Sequence, residues 1–435
     1  MNSGDTAWLL VSAALVMLMT PGLALFYGGM VQGKNVLSTL MHSFFALGIV
    51  SVQFAFIGYS LCFSPTWHGV IGGLDHVGLA GVGMEAFDSA HQFPTLAYFA
   101  YQCMFAVITP ALISGAYAER MKFSAYVVFT LAWSTLVYDP IAHWVWASDG
   151  WLLQLGAIDF AGGTVVHLSS GVSALICALV LGKRRGYPAV RHPPHDLTLT
   201  VIGAGILWFG WFGFNAGSAL HADGTAAVAF VNTHLAAAAG ALAWAIIEAS
   251  RAKKATMLGV ASGLVAGLVA ITPAAGYISP MAAIGLGAAA GLICYGGVLL
   301  KTRLGYDDAL DAFGVHGIGG ALGALLTGVL AAKAFNPAGA DGLLRGGYGL
   351  MLTQTIGVVA AAAFAVVLSI GILYAIDKTI GLRVTPDEER EGLDTALHGE
   401  QGYELGSTGA GEAHYEAVDA EPAKEAGRVL ATAAR

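Results

Sequence analysis

Apolar runs long enough to cross a bilayer recur along almost the whole chain, and this repetition limits the fold more than any other feature. A hydrocarbon core about 30 Å thick needs roughly 20 consecutive apolar residues in a helix. Runs near that length fall at residues 6–30, 37–63, 94–118, 123–146, 159–181, 197–217, 226–250, 257–271, 281–300, 308–331 and 347–376. Only 11% of the residues are charged and 56% are hydrophobic, where a soluble domain carries about 25% charged residues. Without water, each backbone N–H and C=O in such a run must be paired within it, and helices achieve this. The reading is an all-α polytopic membrane protein of about eleven transmembrane helices. The 59 glycines suit helices that approach one another through small residues.

Basic residues gather in cytoplasmic loops. One set of loops holds Lys34; Arg120 and Lys122; Lys183, Arg184, Arg185 and Arg191; Arg251, Lys253 and Lys254; Lys301 and Arg303. The opposite set holds Lys333 and Arg345. The expectation is therefore an outside N-terminus and a cytoplasmic C-terminus. The loop over 64–93 has no Lys or Arg and carries Asp75, Glu85 and Asp88, as an outside loop can. Residues 1–5 lack the basic start of a signal peptide, so none exists or it has been removed. The net charge of −8 says little about partners, since the acids gather in the tail and one loop. No nucleic-acid partner is expected.

Two segments put ionisable residues where they are costly and therefore functional candidates. One runs from Asp159 to His167, the other from Asp308 to His316, with the same interval of eight residues. At about 1.5 Å per residue, a helix over that interval reaches roughly 12 Å inward. Under the orientation above, the two segments enter from opposite faces and bring both histidines near the midplane. Spans one to five and six to ten then form a five-plus-five inverted repeat, with a substrate path at the repeat interface. Thr20-Pro21-Gly22 in span one and Gly210-Trp211-Phe212-Gly213 in span six read as matching helix breakers.

Asp159 and Asp308 have two compatible readings: each caps its helix through N–H groups, or acts on a substrate cation. A neutral imidazole offers one donor and one acceptor, so facing histidines can pass a proton or hold a small polar molecule. His42, His143, His221 and His234 lack matched partners. Tyr101, Phe105, Trp144 and Trp146 form either an interfacial aromatic belt or a cation–π cage. Trp211, Phe212 and Phe214 lie too deep for a belt, and Ser218 could offer a hydroxyl to a cation. Cys62, Cys103, Cys177 and Cys294 read as buried free thiols. There is no phosphate loop, nucleophile elbow or metal-ligand spacing, so neither an enzyme, a cofactor nor a metal is expected. His192-Pro193-Pro194-His195 reads as a loop. Arg383 to Tyr403 is charged and looks built to dock on loops such as Lys183 to Arg191, and residues 404–435 are Gly/Ala/Glu-rich and expected to be disordered.

In this order the motifs resemble the Amt/Mep/Rh ammonium transporter family, and its bacterial Amt branch. They are Ala118-Glu119-Arg120, Asp159-Phe160-Ala161-Gly162-Gly163 with His167, Gly210 to Ser218, Thr272-Pro273-Ala274, Phe313-Gly314-Val315-His316-Gly317, and the tail from Gly381 to Glu400. The resemblance implies a homotrimer in the cell inner membrane with a pore in each subunit. It implies an outer ammonium or methylammonium site at Phe105, Trp146, Ser218 and Tyr101, a gate at Phe105 and Phe214, and pore residues His167, His316 and Trp211. Asp159 would support the outer site. Residues 1–376 would be the transport domain and 377–403 a cytoplasmic regulatory segment, with docking by a trimeric PII-type signal protein. Tyr101 stands where relatives often have Phe. Two rivals follow: an ammonium sensor signalling through the tail, and a general water or gas channel, which would need neither Trp146 nor the outer aromatics.

Overall fold

The computed structural model describes residues 1–403; the expected disorder of 404–435 lies outside the described residues. Eleven helices match the eleven apolar runs. They are α1 (Ser3–Met30), α2 (Gly33–Phe63), α3 (Thr95–Tyr117), α4 (Phe123–Trp133, continued by Ser134–Tyr138 and Asp139–Trp146), α5 (Gly163–Leu181) and α6 (Leu197–Ala219). Then follow α7 (Gly224–Ala252), α8 (Met257–Ile271), α9 (Pro280–Leu304), α10 (Phe313–Leu330) and α11 (Tyr348–Thr379). Ten are long and apolar enough to span a membrane; α8, with 15 residues, is shorter. Phe44, Val52, Phe56, Leu242, Ile246 and Val367 are exposed on the outer faces of such helices, as expected where lipid is the solvent. The loop over 64–93 holds a small hairpin of β1 (Thr66–Trp67) and β2 (Ile71–Gly72).

The breaker reading of α1 and α6 is corrected. Pro21 lies inside a continuous α1, and α6 is unbroken from Leu197 to Ala216. The small residues instead bring the two helices together. A Cβ on Gly203 would overlap the backbone at Phe26, and one on Gly210 would meet Leu15 and Met19. In membrane helices the groups freed by an internal proline can be re-satisfied by neighbours and local adjustment.

Four helices contain a wide π-type turn: Phe54–Gly58 in α2, Ser134–Tyr138 in α4, Gly163–Leu168 opening α5 and Phe313–Gly317 opening α10. Such turns re-aim side chains and are frequent at functional sites. The last two carry His167 and His316. This also corrects the helical interval inferred from sequence, since Asp159 and Asp308 precede the helices and the chain between acid and helix is a loop. Around the histidines α5 and α10 cross with reciprocal contacts. Gly171, four residues after His167, abuts Gly317 and His316, while Gly320, four residues after His316, abuts His167 and Leu168. Rising numbers on one helix meet falling numbers on the other, so the two run antiparallel, as inverted repeats require.

The segment after α11 docks back on the helix-loop ends. Val384 N–H donates to the Arg120 carbonyl (3.1 Å) and Lys122 N–H to that of Leu382 (2.9 Å). A short helix α12 (Pro386–Glu391) starts with a capping box at Thr385 and Glu388. Asp394 then caps α2 from outside, accepting from Leu37 N–H (3.0 Å) and Ser38 N–H (2.7 Å). The expected contact with the 183–191 loop exists through Arg185 N–H to Glu389 (2.7 Å). More of the docking falls on residues 34–38: Lys34 donates to the Arg390 carbonyl (2.6 Å), and Leu393 N–H to the Asn35 side chain (2.8 Å).

Candidate functional site: an aromatic mouth above paired histidines

Helices α3, α4, α5, α6 and α10 converge on one path. Phe105 of α3 and Phe214 of α6 stack with centroids 4.2 Å apart and planes 20° apart. Trp146, at the end of α4, meets the Phe105 ring edge-on at 5.8 Å and 89°. Its indole N–H donates to the Asp159 carbonyl oxygen (3.1 Å), which fixes the ring. Tyr101 lies one turn from Phe105 and packs against it at 4.9 Å. The Tyr101 hydroxyl lies 2.8 Å from the Phe214 carbonyl, 3.0 Å from that of Gly213 and 3.0 Å from Ser218 Oγ. Ser218 donates in turn to the Phe214 carbonyl (2.9 Å). The two hydroxyls tie the end of α6 to α3, and with its proton used on the Phe214 carbonyl, the Ser218 oxygen is left as an acceptor. Trp144 is buried and donates to the Val70 carbonyl (2.6 Å), so it belongs to neither belt nor cage.

Behind the phenylalanine pair, the His167 ring packs 5.8 Å from Phe214, 5.3 Å from Trp211 and 5.3 Å from His316. The two imidazoles are 23° from parallel, with Nδ1 atoms 3.3 Å apart. One Nδ1 must donate and the other accept, so the tautomers are coupled. A proton entering at one Nε2 and leaving at the other switches both rings. Trp211 is held by its indole N–H to Thr272 Oγ1 (2.9 Å), and Thr272 donates to the Leu268 carbonyl (2.8 Å). Leu23, Ile108, Leu112, Leu207 and Val265 line the same stretch, leaving a lumen of about 10 Å³. That is on the order of one water centre. His316 also lines a second cavity of about 440 Å³, bordered by Tyr187, Arg191, His192 and Pro194.

Both acids cap the starts of their helices. Asp159 accepts from four backbone N–H groups: Gly162 (2.8 Å), Gly163 (2.7 Å), Thr164 (2.7 Å) and Val165 (3.2 Å). Gly162, at φ 107°, makes the left-handed turn that lets the chain double back onto its own carboxylate. Asp308 accepts from Ala312 (3.1 Å) and Phe313 (2.8 Å), starting α10 in the same manner. Both carboxylates are spent on helix starts that aim a histidine, and neither points into the path.

Sequence reasoning missed a buried ion cluster at the tail side. Arg184 pairs with Glu119 (2.7 Å) and grips Asp307 with two nitrogens (2.8 and 2.9 Å). Burial raises the Glu119 carboxyl, but the Arg184 guanidinium, helped by Gln32 N–H and Asn35, outweighs it and leaves the group below the usual carboxylate range. Burial likewise opposes, and Arg184 overrides, at Asp307. The cluster connects the tail to the α10 cap. Leu393 bonds Asn35, Asn35 donates to Glu119 (2.9 Å), and Arg184 joins Glu119 to Asp307, the neighbour of Asp308. The four histidines without matched partners sit in packed settings: His143 bonds Cys62 O and Thr66 (both 2.8 Å), His221 pairs with Asp5 (3.1 Å), and His234 stacks on Trp208 at 5.2 Å. His42 packs between Tyr117 and Tyr126. All four cysteines are buried and free.

The model of the Ammonium Transporter Family matches residues 7–403. The ammonium transporter of Bacillus subtilis is 51% identical over 405 residues, covering 93% of this chain and 99% of the relative. Among solved structures, Saccharomyces cerevisiae Mep2 superposes with a TM-score of 0.83 at 38% identity, over 89% of this chain and 88% of that one. A structure described as "Sensor Amt Protein" gives a TM-score of 0.82 at 29% identity, over 91% and 98%. With its multi-pass helical body and a match spanning nearly all of it, this chain belongs to the ammonium transporter family.

Proposed function

We propose that each subunit recruits ammonium at Phe105, Trp146 and Ser218, deprotonates it, and conducts ammonia past Phe105 and Phe214 and along His167 and His316. The proton is left outside or relayed through the imidazoles. One observation carries the reading: the Nδ1–Nδ1 pair lies at the end of an apolar aromatic path, between the mouth and the second cavity. Ammonium and potassium share a charge and a similar size. Moving either bare ion into such a lumen costs several kcal/mol, and only ammonium can shed its charge as a proton. Methylammonium offers the same chemistry and is the expected tracer. The setting proposed is a homotrimer in the cell inner membrane, N-terminus outside, with the tail cytoplasmic and open to a PII-type partner. Methylammonium uptake by purified protein in vesicles tests transport directly.

A second reading is favoured by the likeness to the sensor structure: the pore reports ammonium through the tail. Purified protein that binds ammonium but fails to take up methylammonium would favour it.

Trp146→Leu and Ser218→Ala are expected to weaken apparent affinity more than maximal rate, because both contacts act on the charged species. A desolvated cation–π contact is worth up to about 2 kcal/mol, so half-saturation should rise by up to about thirty-fold in Trp146→Leu. Wild-type half-saturation across pH in both variants contradicts the outer site.

Truncation after Ile376 removes Asp394 from the start of α2 and Leu393 from Asn35, and is expected to impair uptake although no pore residue is lost. Truncation after Tyr403 leaves the contacts among residues 1–403 in place and is expected to be tolerated. A fully active Ile376 truncation would separate the tail from transport.

A further inference from the structure

Asp139 takes no part in the path above. It is fully buried where α4 resumes after its wide turn at Ser134–Tyr138, opposite the residue that precedes the wide turn of α2, Gln53. The other buried carboxyls among the described residues are met by full charges, by a histidine or by backbone N–H groups. Asp159 has four N–H groups, while Asp308 and Asp394 have two each. Glu119 and Asp307 have Arg184, and Asp5 has His221 and Ala222 N–H. Asp139 has one amide and one thiol: Gln53 Nε2 lies 2.9 Å from Oδ2, and Cys62 Sγ lies 3.5 Å from Oδ1.

Those partners suit an acid better than an anion. A buried charge with neither counter-ion nor strong donors costs several kcal/mol, and such a group neutralises instead. Cys62 Sγ also lies 3.6 Å from the Asp139 carbonyl oxygen. With one proton on Oδ1 every group is used: Gln53 N–H donates to Oδ2, Oδ1–H donates to Sγ, and S–H donates to the carbonyl. The ionisable side chains nearby are Tyr59 and Cys62 on α2, Tyr98 and Cys103 on α3, and Tyr138 and His143 on α4. None is a lysine or arginine, and both nitrogens of His143 face Cys62 O and Thr66.

We propose that Asp139 is an intramembrane proton-binding site outside the pore, occupied at neutral pH, whose neutral acid locks the last stretch of α4 to α2. Trp146 lies seven residues on, two turns along the same helix, so Asp139 is a positioning residue for the mouth.

The test compares infrared spectra of wild type, Asp139→Asn and Cys62→Ala in lipid vesicles at pH 7. Wild type is expected to show the carbonyl band of a protonated carboxylic acid that Asp139→Asn lacks and Cys62→Ala shifts. In uptake, the neutral isostere Asp139→Asn should keep half-saturation within about twofold, and Asp139→Leu should raise it by about tenfold. A difference spectrum containing only carboxylate bands overturns the proposal, and so does an Asp139→Asn variant as damaged as Asp139→Leu. Should Asp139→Asn fail to fold, the band shift in Cys62→Ala decides alone, and its absence counts against the site. Only the half-saturation arm rests on the transport reading, so the two ideas fail separately.

Discussion

His167→Asp is expected to destroy ammonium selectivity, either by abolishing flux or by admitting potassium. The imidazoles of His167 and His316 are in direct contact, Nδ1 to Nδ1 at 3.3 Å, in a lumen otherwise lined by Leu, Ile, Val, Met, Trp and Phe. Two neutral imidazoles, each with one donor and one acceptor, can take and give protons in series while offering a bare potassium ion no counter-charge. An aspartate at this depth offers two states. Protonated, it breaks the Nδ1–Nδ1 contact and the relay stops. Ionised even part of the time, it gives an intact cation a partner, and the penalty against potassium falls. A fall of about 1.4 kcal/mol lowers the ammonium-to-potassium ratio about tenfold. The measurement is current under a potassium gradient without ammonium, beside ammonium-evoked current. His316→Asp should behave alike, since His316 reaches the same contact from the antiparallel helix. Wild-type ammonium flux with no potassium current in His167→Asp would remove neutrality as the filter.

Asp159→Ala is expected to give the largest loss of stability of any single change at the site. Four buried N–H groups lose their acceptor together. Each stranded group costs about 1–3 kcal/mol; relaxation will absorb part of this, leaving on the order of 4 kcal/mol or more, a size rare for point mutants. The wide turn holding His167 loses its anchor, and the loop carrying the carbonyl that holds Trp146 moves with it. Folded yield, thermal midpoint in detergent and transport should all fall. Asp159→Asn keeps one acceptor oxygen and should fall between the two. An unchanged midpoint in Asp159→Ala would mean that the carboxylate is not the cap.

The helices were legible because hydropathy in a membrane protein is a length measurement, and boundaries moved by only a few residues. The twin histidines were legible through the repeated acid-to-histidine interval. Where their helices begin was not, because a left-handed Gly162 and a wide turn leave no periodic trace. Pro21 misled because a proline in a close-packed membrane helix need not break it. Glu119, Arg184 and Asp307 were hidden by separations of 65 and 123 residues along the chain, and Arg184 passed as one more loop charge. The hydroxyl of Tyr101 tethers α3 to the end of α6 across separations of 112 and 113 residues, a contact that leaves no mark in the sequence.

Passage as ammonia requires discrimination between two ions of equal charge. Wild-type protein in proteoliposomes should give an ammonium-evoked signal, in uptake or current, that an imposed potassium gradient does not alter. A potassium gradient alone should drive no current. Current carried by potassium without ammonium, or no response to ammonium at all, would contradict passage as ammonia along a neutral histidine pair.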